Sequence, residues 1–340
     1  MSQYPSRRGV FAGAAALGAT AHPLSAAAQA GAMAAVVDYA QGQKTTGFLV
    51  IRDRKVLVEK NWPAPAGDAQ FKNFTYETMP GGALLEDVAS QQKSFVSMLV
   101  ATAIDKGLLD DGKTVTDYIG AGWSKAAADQ ESRIRVIDVL TMSSGLTEQF
   151  GYAAAPGTVF LYNTPVYAIT KRILAACAKQ PLETLTHDWL TGPAGMADTS
   201  WRKRPAAFSD VGNPTGLVTS PRDTAKLGQI VLDGGKAADG KRVVSEAGMK
   251  AMFARSATNP AYGRLWWLNS SGFTIRPLAR RVDGPLIPAA PADLVAALGA
   301  LDRKLYVVPS RKLVVVRMGQ ATPDKDFDQQ LWLKLMPALG

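Results

Sequence analysis

Ser90-Gln-Gln-Lys93-Ser-Phe-Val-Ser-Met-Leu-Val-Ala-Thr-Ala-Ile-Asp-Lys-Gly107 is the stretch on which the reading of this chain turns. Phe95, Met98, Leu99, Ala101, Ala103 and Ile104 leave almost no polar face, so the spacing predicts a helix buried in the middle of the protein. Gly107 closes it in the usual C-terminal position. Ser90 and Lys93 open it, nearly one turn apart and on one face, within hydrogen-bonding reach. A helix start offers free N–H groups and a partial positive charge, which favour an oxyanion and disfavour an ammonium. Burial lowers a lysine's pKa in the same sense. A neutral Lys93 can therefore take the Ser90 proton without any histidine. The blander alternative is a helix-capping serine followed by a solvated lysine, since S-x-x-K also recurs by chance.

Strand-like runs lie on both sides of a helical middle. Gly47 to Ile51 and Val56 to Glu59 flank Arg52-Asp53-Arg54-Lys55 and read as a hairpin. Ala34 to Gln41 has helical spacing, and residues 62–83 read as loop with one short strand. Helical segments are expected at Val136–Met142, Val166–Ala178, Leu182–Leu190 and Asp223–Leu232, the last opened by Ser220-Pro221. Arg264–Asn269, Lys304–Val308 and Leu313–Arg317 read as strands, and Asp326–Met336 as a closing amphipathic helix. Both ends of the chain should meet in one sheet, with a helical subdomain inserted roughly over residues 110–235.

Composition removes several chemistries. The chain has 340 residues with one cysteine, Cys177, and two histidines, His22 and His187. No internal disulfide and no cysteine-built metal site is possible, and neither a metal nor a cofactor is expected. No G-x-S-x-G elbow is present, and His187, between Thr186 and Asp188, reads as a surface histidine. Gly107-Leu-Leu-Asp-Asp-Gly-Lys-Thr114 matches a phosphate-binding loop in form only. A helix precedes it where a strand is needed, and Asp110 and Asp111 would repel phosphate.

Residues 1–30 read as an export signal rather than as fold. Arg7-Arg8 after Ser6, a short apolar run and Ala28-Gln29-Ala30 match a twin-arginine leader cleaved after Ala30, giving a periplasmic protein. The full chain carries 38 basic and 29 acidic residues, net +9; without Arg7 and Arg8 the balance is 36 − 29 = +7. The positive charge is scattered apart from Arg202-Lys203-Arg204 and Arg280-Arg281, so a solvated surface is expected and not nucleic-acid binding. No later run is long enough to span a membrane, so no stable insertion is expected after cleavage.

Ser90-Gln-Gln-Lys93 is accompanied, in order, by Leu140-Thr-Met-Ser-Ser-Gly-Leu146, Pro156-Gly157-Thr158-x-Phe160-x-Tyr162-Asn163, Gly195-Met196-x-Asp198-Thr199-x-Trp201, Tyr262-Gly-x-Leu-Trp-Trp-Leu-Asn269 and Leu305-Tyr-Val-Val-Pro309. Together these blocks resemble the serine hydrolases of the class C β-lactamase and penicillin-binding-protein superfamily across residues 40–336. The resemblance implies an α+β fold, an antiparallel sheet flanked by helices with an inserted all-helical subdomain. It assigns Ser90 as the acylated nucleophile, Lys93 as its partner and Tyr162, rather than Tyr167, as the tyrosine of a Y-x-N motif.

Two departures from the family pattern stand out. Asn163 comes one place early, with Thr164 where the asparagine of Y-x-N is expected. No K-T-G precedes Leu305–Val308, and Lys44-Thr-Thr-Gly47 comes too early in the chain to replace it. Asn163 and Gly299 are the substrate-binding candidates; Gly299 admits substrate close to the backbone or serves a turn or bulge. The expectation is an acyl-enzyme hydrolase of a small-molecule ester or amide. The alternatives are a β-lactamase or D-alanyl-D-alanine peptidase, and a catalytically silent binder of peptidoglycan peptides.

Overall fold

The computed structural model describes residues 26–206, 212–269 and 272–340. Arg7, Arg8 and the rest of the expected leader up to residue 25 lie outside the described residues. In chain order the strands are β1 (Thr45–Arg52), β2 (Lys55–Asn61), β3 (Thr75–Thr78), β4 (Leu84–Asp87), β5 (Ser200–Lys203), β6 (Thr215–Thr219), β7 (Trp267–Leu268), β8 (Phe273–Arg276), β9 (Arg280–Asp283), β10 (Val295–Gly299), β11 (Arg303–Val308) and β12 (Leu313–Gly319).

The main sheet is antiparallel with the order β2-β1-β12-β11-β10-β7. The first and last strands of the chain are thus neighbours, as the strand–helix–strand pattern implied. Asp53 and Arg54 turn the β1–β2 hairpin with φ of 49° and 63°, the left-handed pair that suits the twist of a two-residue turn.

Helices cover both faces of this sheet, and the pleat shows which residue meets which helix. A Cβ on Gly228, in the helix Pro221–Leu232, would meet Val314 at 2.7 Å and Leu305 at 3.0 Å. Their pleat-opposed neighbours look the other way: Tyr306 packs edge-on against Trp332, and Arg317 lies over Phe327, both in the helix Phe327–Leu339. The helix Ala26–Gly42 lies beside that C-terminal helix. With both faces covered, β11 and β12 are buried throughout, which is why they read as continuous apolar runs.

Several expected elements are revised. The N-terminal helix starts at Ala26 rather than Ala34 and runs through Ala28-Gln29-Ala30. Arg264–Asn269 is a strand only at Trp267–Leu268, because Leu265 takes a φ of 64° and Gly263 N–H turns back onto Trp266 O. The stretch 110–235 is not all helical. It contains β5 and β6, which join β3 and β4 in a second antiparallel sheet of order β3-β4-β6-β5. Among the described residues no helix is long and apolar enough to cross a membrane.

Candidate active site

Ser90 sits in a single 3-10 turn, Ala89–Gln91, that leads directly into the buried helix Gln92–Asp105. The turn follows β4 and is sharply bent, with Ala89 at a φ of 49°, a conformation costing a non-glycine residue about 1–3 kcal/mol. Asp87 Oδ1 holds it by accepting the Ala89 N–H at 2.8 Å. Asp87 is in turn gripped by Arg204, whose Nε and Nη2 donate to its two oxygens at 2.7 and 2.9 Å. The pair is buried, with the side chains 6% and 2% exposed. On the other side β10 presses on the turn: a Cβ on Gly299 would lie 2.3 Å from Val88 O.

Lys93 lies one turn into the helix and is 2% exposed. Its Nζ donates to Ser90 Oγ at 2.9 Å and to Thr164 Oγ1 at 3.2 Å, and meets the rings of Tyr162 and Tyr167 at 4.9 and 4.6 Å. Desolvation, aided by the positive charge of Arg204, lowers its pKa to about 7. Near neutrality a large share of the amine is uncharged, within hydrogen-bonding distance of the Ser90 hydroxyl. Tyr162 reaches Ser90 from the loop before the helix Thr164–Ala178; burial raises its phenol to about 12, against the opposing effect of the Ser90 hydrogen bond. It is therefore a protonated phenol at neutral pH. Its ring stacks on Trp267 at 5.8 Å and meets Tyr262 edge-on at 6.2 Å, so the aromatic 262–267 block serves as the wall that orients it.

These groups open onto a cleft of about 650 Å³, walled by Phe74, Phe150, Pro165 and Leu301 and carrying Ser90 and Thr164. A family model described as Beta-lactamase matches residues 27–336. The chain belongs to the β-lactamase family. No curated protein matches it.

Solved structures place the family's fold on the chain. It superposes on a candidate β-lactamase from Bacteroides dorei with a TM-score of 0.68 at 13% identity, covering 92% of this chain and 98% of that one. EstCE1, a hydrolase with promiscuous acyltransferase activity, gives 0.63 at 15% identity with 92% and 100% covered. A family VIII carboxylesterase gives 0.64 at 14% identity with 91% and 96% covered. The fold is that of β-lactamases and transpeptidases, and the neighbours include esterases as well as β-lactamases.

Within this β-lactamase-family site, Ser90, Lys93 and Tyr162 converge, and two expected substrate contacts do not. Asn163 is turned inward: its Oδ1 accepts the Val166 N–H at 3.0 Å as a helix cap, and its Nδ2 donates to Leu146 O at 2.9 Å. The asparagine one place early is thus a cap, and Thr164 is the residue that faces Lys93. Gly299 has an extended backbone, φ −125°, so it is not a turn glycine. The space left by its missing Cβ is taken up by the serine turn. His187 is exposed and hydrogen-bonds its neighbour Asp188 at 3.0 Å.

Arg204 and Asp87 went unrecognised in the sequence. Arg204 belongs to a basic run that reads as solvated surface, and its partner is 117 positions away. A charged residue next to Pro205 and a run of small residues gave no local signal of burial.

Proposed function

We propose that the protein is a serine hydrolase that forms an acyl-enzyme on Ser90 and acts on an ester or a small amide. The observation that carries this reading is the 2.9 Å contact between Ser90 Oγ and the desolvated Nζ of Lys93, at the base of an open cleft.

In this reading neutral Lys93 takes the Ser90 proton as Oγ attacks the acyl carbon. The resulting oxyanion is stabilised by the Ser90 N–H, with Ala300 and Leu301 also lining the cleft. Collapse expels the leaving alcohol or amine, which takes a proton directly from the ammonium of Lys93, or from the phenol of Tyr162, which then regains one from that ammonium, so that Lys93 is neutral again. Water then attacks the ester on Ser90 by the same steps, releasing the acid. The raised pKa of Tyr162 keeps it in the phenol form at neutral pH, so it enters the reaction carrying a proton.

A penicillin-type substrate is the weaker fit. The strand beside the serine reads Val295-Ala-Ala-Leu-Gly299, with no cation to hold a carboxylate. A panel of nitrophenyl esters, nitrocefin and D-alanyl peptides, followed by mass measurement of the trapped protein, tests the reading. Native protein should gain one acyl group, and Ser90→Ala should lose both labelling and turnover, on the order of 10⁶ in rate. Labelling retained in Ser90→Ala would overturn the assignment.

A further inference from the structure

Among the described residues the wall of the Ser90 cleft carries two charged side chains, and they differ in how far each is already satisfied. Arg204 is buried and doubly bonded to the Asp87 carboxylate, and its Nη1 donates to Asn213 O at 3.0 Å. Three of its N–H donors are therefore committed within the protein, and the residue is only 7% exposed, so it offers a substrate anion little direct contact. Glu148 is exposed at the cleft and, among the described residues, has neither an ion pair nor a hydrogen-bond partner for its carboxylate.

Glu148 is also held in place. It occupies a central position of the tight turn Thr147–Phe150, in which Phe150 N–H donates to Thr147 O at 2.9 Å and Thr147 N–H to Gly151 O at 2.8 Å. Gly151 N–H donates to Thr147 Oγ1 at 3.1 Å, and Leu146 and Tyr152 form an antiparallel bridge just outside the turn. The turn is pinned below, where Gly145 O accepts from Ala153 and Ala154 at 2.8 and 3.1 Å. A carboxylate on a braced turn thus lines a cleft that also presents the apolar side chains of Phe74, Phe150, Pro165 and Leu301. An apolar wall strengthens the field of an unneutralised charge.

We infer that Glu148 is a specificity-determining residue that favours substrates carrying a cationic group, such as an amine, toward the cleft mouth and disfavours anionic ones. This rests on the acyl-enzyme reading above and adds to it the charge class of the substrate.

The test uses three nitrophenyl esters of equal acyl length, ending in a trimethylammonium, a methyl or a carboxylate group. At low ionic strength the cationic ester should exceed the anionic one in kcat/KM by about tenfold, and added salt should shrink that ratio. Glu148→Gln should bring the ratio close to one, and Glu148→Lys should reverse it. Because the side chain is exposed, both variants should fold, which circular dichroism checks. Turnover of all three esters with a ratio near one in the native protein, or a ratio that neither variant changes, would overturn the role of Glu148 alone. Failure to turn over any of the three would overturn the acyl-enzyme reading and this inference together.

Discussion

Lys93 and Lys171 are both buried lysines lying over the Tyr167 ring, at 4.6 and 5.8 Å from its centroid. Desolvation lowers the pKa of both, with Arg204 adding to the effect in each case. They differ in what meets the nitrogen. Lys171 donates to Asn213 Oδ1 and Thr215 O, each at 2.7 Å, and lies over the Trp201 ring at 4.6 Å. Those oxygens carry no proton. Lys93 meets the hydroxyls of Ser90 and Thr164, which do, and both of these residues line the cleft. A depressed pKa is thus not enough to mark a catalytic base. The amine must also face a group that can give it a proton, where a substrate can arrive.

The sharpest way to break this contrast is to change each lysine in turn. Lys93→Arg should slow single-turnover acylation by an activated ester about 10³-fold, because guanidinium does not deprotonate and cannot serve as a base. In the native protein kcat/KM should climb as pH rises toward about 7 and level off above it. The sign follows from the role: below its pKa Lys93 is an ammonium with no lone pair to offer. Near-native acylation by Lys93→Arg, or a rate that falls as pH rises from 6 to 8, would remove the lysine-base mechanism.

Tyr162→Phe should cost less, about 10²-fold in turnover, with thermal unfolding nearly unchanged since the ring keeps its stack on Trp267. A tyrosine that merely packs would give native rates in this variant. Lys171→Met should show the opposite balance. Acylation should stay close to native, while urea unfolding should report a loss of about 2 kcal/mol, because two buried acceptors lose their donor. If Lys171→Met slows acylation as much as Lys93→Arg does, the two lysines share one function and the distinction drawn here is wrong.

Much of the frame was legible along the chain because its cause is local. The all-round apolar spacing of Phe95 to Ile104 leaves no alternative to a buried helix. The runs Leu305-Tyr-Val-Val308 and Leu313-Val-Val-Val316 become strands covered on both faces. Ser220 before Pro221 caps its helix by accepting the Asp223 N–H at 3.2 Å. Legibility failed where a distant contact outweighed the local pattern. Arg264–Asn269 has the aromatics of a strand, yet Leu265 N–H is taken by Leu140 O at 3.0 Å and the strand is cut to two residues.

For the site, the sequence by itself placed a serine and a lysine three residues apart where a buried helix begins, although Ser90 proves to lie in the 3-10 turn that leads into it. That placement follows from helical periodicity and needs no knowledge of the rest of the chain. Only the tertiary structure decided which further side chains complete the site: Tyr162 and Thr164 from 70 or so positions on, Arg204 with its carboxylate partner Asp87, and the braced turn bearing Glu148. It also decided that Asn163 faces inward as a cap while Thr164 faces Lys93. The physical reason is that pKa, charge pairing and accessibility depend on what surrounds a group in space. Spacing along the chain carries that information only within a turn or two of helix or strand.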